Sequence, residues 1–171
     1  MVQSWFFKAL GEHMLCKCLG VLGPRKDLGD TQEVRCLNRL IRFVQPPYKT
    51  AEAAFIEWDA DPRHIEILAD AEGLKMDSKG ISTPGIKMPK DADETLLDQE
   101  AKGAYRSEVM RYAYLSHDRP ECQYSAKESA RSMNAPTRWD AMQLKRAVRF
   151  LIETGRLVLR FHKQEIMTQV I

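Results

Sequence analysis

Three sets of residues in this chain have the types and spacing to do chemistry. Two aspartate pairs stand one residue apart, Asp59-Ala60-Asp61 and Asp91-Ala92-Asp93. On a strand, positions i and i+2 share a face, so each pair could offer two carboxylates to one metal ion. The competing reading is structural. Asp61 precedes Pro62 where a helix opens, and Asp91 and Asp93 lie in a polar stretch. A second set is Cys16-x-Cys18 with Cys36, for which His13 is the only nearby fourth ligand. Structural zinc usually takes CxxC-type knuckles, whereas CxC on a strand puts two small apolar side chains on one face. The third set is cationic: Arg138, Lys145, Arg146 and Arg149, with Arg106 and Arg111 earlier in the chain. Steps of seven and four return Arg138, Lys145 and Arg149 to one side of a helix. Such a face can meet phosphates and position a duplex without reading its sequence. The alternative is a solvated face beside a buried Leu144/Val148 stripe. Arg106, Arg111 and Arg119 could equally pair with Glu108, Asp118 and Glu121.

No histidine is paired with a nucleophile, and no GxSxG, P-loop or GxGxxG motif occurs. His64 and His117 read as surface or satisfied polar residues, and Trp139 as core in preference to a base-stacking platform. We expect no catalytic residue, no metal and no cofactor.

The elements that must position these residues follow from periodicity and punctuation. The fold class expected is α+β, mainly α. Residues 2–13 suggest a short helix, and residues 14–22 a strand by alternation. Residues 34–44 could be either state: they alternate poorly, yet Val34, Leu37, Leu40 and Ile41 fit a helical stripe, which favours helix or mixed structure. Residues 45–50 are a turn and 54–58 a short strand. Asp61-Pro62 opens a helix with Ile65, Leu68 and Ala69 on one face and Gly73 at its end. Residues 75–95 are polar, with a turn at Ser82-Thr83-Pro84-Gly85. Three helices follow, over 96–116, from Asp118 with Glu121 as a capping box to 133, and from Thr137 with Asp140 to just before Gly155. Residues 156–162 close as a strand. The expected organisation is therefore 1–74 with strands and a helix, a linker at 75–95, a three-helix region with a terminal strand at 96–162, and a tail at 163–171.

Composition is that of an ordinary globular chain, 29% charged and 44% hydrophobic. The net charge of +2 hides a pattern. Lys/Arg against Asp/Glu number seven to four over residues 1–45, twelve to seventeen over 46–133, and seven to three over 134–171. The ends are basic and the middle acidic. No apolar run reaches the roughly 20 residues of a membrane span, so no membrane partner is expected. The first residues carry Lys8, Glu12, His13 and Lys17 and read as mature structure, not a leader. Four scattered cysteines point to a reducing, intracellular compartment, cytoplasmic or nuclear.

Several stretches in order then carry a resemblance. They are YRSEVMRYAYLSHDRPE (105–121), Tyr124, ARSM (130–133), APT (135–137), Trp139, LKRAVRFL (144–151) and Gly155. Together they resemble the C-terminal, thumb-and-connection side of reverse transcriptase in copia-type retrotransposon Pol polyproteins. Upstream, residues 22–44, 58–74 and STPG (82–85) resemble the segment that joins the palm to that region in divergent members. The resemblance spans residues 20 to 162. Where the family usually carries large apolar residues, this chain has Cys122, Ser129 and Ser132, which should loosen packing.

The resemblance implies an RNA/DNA template–primer as partner, with the remainder of a polymerase. It also implies an aromatic-x-Asp-Asp turn to hold two metal ions, and the chain has no Asp-Asp pair. The ribonuclease H part is likewise not among these residues. The expectation is a non-catalytic fragment of such a Pol polyprotein with weak, nonspecific template–primer binding. The alternative is a small helical protein-interaction module or an inactive residual retroelement product.

Overall fold

The computed structural model describes residues 8–15, 17, 20–47 and 54–162. The fold is α+β and mainly α, with a four-stranded antiparallel sheet in the order β1-β2-β3-β4. The chain divides into two compact units. One is Met1–Trp58 with Arg160–Ile171; the other is Asp59–Leu159.

In the first unit, β1 (Glu33–Cys36) and β2 (Arg39–Val44) form an antiparallel hairpin. Val34 faces Ile41 and Glu33 faces Arg42. The helix or mixed structure favoured over 34–44 is thus corrected to two strands, the other of the two states the sequence allowed. Leu37 and Asn38 make the turn, with φ of 49° and 63°. Two successive left-handed residues give the turn whose twist matches a hairpin. Leu37 does not close a helical stripe but projects at the tip, 75% exposed. The strand expected over 14–22 is corrected as well. Among its described residues, only Leu22 makes a bridge, parallel to Thr31. Residues 8–11 are helical, and residues 2–7 of the expected helix and 48–50 of the expected turn lie outside the described residues.

β3 (Phe55–Asp59) and β4 (Val158–His162) complete the sheet. One charged residue from each strand joins a row across it. Arg42 Nε donates to Glu33 Oε2 at 3.1 Å and its NH1 lies 3.9 Å from Glu57 Oε2. Arg160 Nε donates to Glu57 Oε1 at 3.1 Å. Opposite charges on adjacent strands favour this register over a slipped one. Arg160 also stands over the Phe55 ring at 5.1 Å, and buried Arg39 over the Trp58 ring at 5.8 Å.

The second unit packs four helices: α1 (Arg63–Ala71), α2 (Gln99–Ser116), α3 (Gln123–Arg131) and α4 (Arg138–Thr154). Their apolar stripes meet in one core. Ile65 and Leu68 come from α1, Val109, Tyr112 and Leu115 from α2, and Leu144, Val148 and Leu151 from α4. Cys122 and Ser129 are buried there, and Tyr105 Oη donates to the Ser129 carbonyl at 2.9 Å. Ser132 Oγ donates to Asp140 Oδ1 at 2.7 Å.

The helix ends follow local chemistry. Asp61 Oδ1 accepts from the Arg63 amide at 3.1 Å and satisfies a first-turn donor of α1. Gly73, at φ 64°, ends it while Leu74 N–H bonds back to the Ala69 carbonyl. Asp98 caps α2 through the Ala101 amide at 2.8 Å. Thr137 and Asp140 form the reciprocal box at the start of α4.

The helix expected to start at Asp118 starts later, at Gln123. A 3-10 turn, Pro120–Cys122, precedes α3, whose cap position has no side-chain bond. Proline pushes Arg119 to an extended backbone, φ −128° and ψ 79°. Glu121 accepts from Arg119 Nε at 2.6 Å. Arg119 is 2% exposed and also donates to the Gly155 carbonyl at 2.8 Å and to Thr154 Oγ1. It ties the end of α4 to the turn before α3.

Residues 75–95, expected as a linker, hold no helix or strand and lie within the second unit. Ile81 packs against the core. The Ile86 amide donates to Gln143 Oε1 at 3.2 Å. Trp139 and Arg138 amides donate to the Asp93 and Thr95 carbonyls at 3.0 and 2.9 Å, which fixes the segment to the start of α4. Trp139 itself is buried.

Candidate nucleic-acid interface

α4 places its cations by helical geometry. Leu144, Ala147, Val148 and Leu151 face the core, and Lys145, Arg146 and Arg149 fall beside them toward residues 81–86. These three cations line one cavity of about 210 Å³ with Ile81, Ile86, Met142 and Gln143. Arg146 NH2 donates to Thr83 Oγ1 at 2.8 Å. Arg149 is half-buried and, among the described residues, has no hydrogen-bond or ion-pair partner. The Nε atoms of Arg146 and Arg149 and Nε2 of Gln143 are buried without an acceptor.

Lys145 is engaged more deeply. Its Nζ donates to the Glu72 carbonyl at 2.6 Å and lies 3.7 Å from Glu72 Oε2. Burial pushes the Glu72 carboxyl up, reinforced by the Glu108 carboxyl beside it and opposed by Lys145. Burial also raises Glu108. Two carboxyls confined together cannot both ionise freely, and one proton shared between them relieves the repulsion.

The remaining candidate cations sit elsewhere. Arg138 is exposed, with NH1 3.7 Å from Asp93 Oδ2. Arg106 Nε donates to the Met133 carbonyl at 2.8 Å. Arg111 NH1 lies 3.1 Å from His64 Nδ1, and the His64 ring leans on Tyr114. Of the six cations, the fold brings Lys145, Arg146 and Arg149 to one concavity and leaves Arg138, Arg106 and Arg111 outside its lining. The partners Ile81, Ile86, Met142 and Gln143 were not anticipated. The trace in the sequence was Ile81 and Ile86 in a mostly polar stretch.

Three of the four paired aspartates, Asp59, Asp61 and Asp93, have an arginine within ion-pair distance. Asp59 is held by Arg156, with Nε at 2.9 Å from Oδ1 and NH2 on Oδ2. Asp61 takes the Arg63 guanidinium on both oxygens at 2.5 to 3.0 Å. That hydrogen bonding lowers the Asp61 carboxyl to about 2. Asp93 Oδ1 accepts from the Thr95 amide at 3.0 Å, which holds its carboxyl below the usual range. Cys16 and Cys18 lie outside the described residues. Among the described residues, no group of three His, Cys, Asp or Glu side chains could hold a metal ion, and no helix is long and apolar enough to cross a membrane.

A second cavity of about 210 Å³ opens between Pro62, Ile65, Met76, Leu115 and Leu157. Of its charged residues, Asp61, Arg119 and Arg156 are paired within the unit, and Glu66 also lines it. The chain matches no protein-family model, no curated protein and no solved structure.

Proposed function

We propose that the chain is a non-catalytic fragment of a copia-type reverse transcriptase, whose α4 face makes weak, nonspecific contact with a template–primer duplex. The observation that supports this is the convergence of Lys145, Arg146 and Arg149 on one concavity, with Arg149 unpaired. The order of the resembling stretches around α4 is the second support. Contact of this kind neutralises backbone phosphates, so affinity falls with salt in proportion to the phosphates engaged. With three cations at the face, the expected slope of log K against log salt is about −2 to −3. Fluorescence anisotropy with an RNA–DNA hybrid measures it, and no binding at low salt sinks the nucleic-acid part. Primer extension with magnesium or manganese should yield no product; a product would overturn the non-catalytic part.

A second reading, a helical protein-interaction module, draws on a different observation. Arg106, Arg111, Arg138 and Lys145 each reach a partner inside their own unit. Those bonds serve helix packing. Reversing charge at Arg149 separates the readings cleanly, because that change breaks no internal bond. Affinity for the hybrid unchanged in Arg149→Glu favours the module.

A further inference from the structure

The cavity beside α4 has a chemistry that a solvated basic face does not need. A guanidinium offers five N–H donors in a fixed fork that matches phosphate oxygens. Arg146 gives one donor to Thr83, and Arg149 gives none to any described residue. Gln143 uses its oxygen for the Ile86 amide while its Nε2 has no acceptor. Buried donors in folded proteins nearly always find acceptors, yet three donors on residues that line this one hollow have none within the chain. The charge agrees. Three cations line the hollow, and among the described residues the only carboxylate within ion-pair distance of any of them is Glu72, beside Lys145. The other walls are apolar: Ile81, Ile86 and Met142. A volume of about 210 Å³ is below the roughly 300–1,000 Å³ of pockets for drug-sized ligands, so the occupant is small.

We propose that this cavity is a discrete site for a small phosphorylated molecule, with the phosphate on Arg146 and Arg149 and the organic part against Ile86 and Met142. The site shares its cations with the template–primer reading, but it requires one small bound anion and not a duplex. It goes beyond that reading in predicting saturable binding of a ligand with no nucleic-acid backbone.

Phenyl phosphate is the probe, with inorganic phosphate, phenol and sodium chloride at matched ionic strength beside it. Calorimetry and thermal shift on the full chain should show saturable binding of phenyl phosphate, weaker binding of phosphate, and none of phenol. Arg149→Met should weaken phenyl phosphate by roughly tenfold or more, the loss expected for charged hydrogen bonds. Arg131→Gln, at an exposed arginine that pairs with Glu128, should leave it unchanged. If Arg149→Met fails to fold, Arg149→Lys keeps the charge without the fork and should still weaken binding severalfold. Absence of saturable binding by both phosphate and phenyl phosphate overturns the site, as does binding unaltered in a folded Arg149 variant. An RNA–DNA hybrid separates the two ideas. Phenyl phosphate binding without hybrid binding upholds the site and defeats the template–primer reading. Hybrid binding without phenyl phosphate binding does the reverse. Competition between the two probes upholds both.

Discussion

Arg119 shows how much one side chain can decide. It is almost fully buried and serves Glu121, the Gly155 carbonyl and Thr154 at once. Truncating a buried, hydrogen-bonded cation leaves its acceptors without donors. Arg119→Met should therefore cost about 2–4 kcal/mol, read as a lower urea midpoint with unchanged slope. Arg119→Lys should recover only part, since a single ammonium cannot reach three acceptors in a fork. Glu72 sets a pH dependence. Its carboxyl is raised by burial and by Glu108, from the ordinary 4.5 to about 7. A raised folded value means the folded state holds the proton more tightly. The stabilisation is then complete below about pH 4.5 and is lost as pH climbs toward 7. Glu72→Gln should flatten that decline in a series of thermal melts between pH 4.5 and 8. An equal decline in the variant would assign it to other groups. Asp61 works in the opposite sense: its lowered carboxyl contributes above about pH 3.8 and the contribution fades toward 2.

The helices were the most legible elements. Asp61-Pro62, Gly73, the Thr137/Asp140 pair and Gly155 mark ends that the fold keeps, because a cap depends on residues only a few positions apart. The hairpin was not legible for an equally local reason. Its turn, Leu37-Asn38, lacks the glycine that usually announces two left-handed residues, and Val34, Leu37, Leu40 and Ile41 happen to fall at helical spacing. The same reasoning gives a prediction. Replacing Leu37-Asn38 by Asn-Gly should relieve a strained leucine and raise stability by about 1 kcal/mol, seen as a higher thermal midpoint. A fall would mean that Leu37 contributes at the tip. The α4 cavity was half legible. Lys145 and Arg149 follow from a four-residue step, but Thr83 meets Arg146 across 63 residues and Ile86 meets Gln143 across 57. No periodicity within a short window carries such pairings, which come from packing.

At the scale of the whole molecule, the two units differ in how the chain supplies them. The second is one continuous stretch with its own core, so a fragment of residues 59–159 should fold alone. Circular dichroism should show a helical spectrum and a single cooperative melt; a featureless melt would mean that the core needs the rest of the chain. The first unit draws its strands from both sides of the second. The charged row from Glu33 through Arg42 and Glu57 to Arg160 makes that dependence concrete. During synthesis the ribosome releases β1, β2 and β3 long before it adds Arg160. The early strands therefore wait with the Glu57 edge open while the helices form behind them. Slowing translation would prolong that interval and with it the time in which the bare edge can recruit a neighbouring chain.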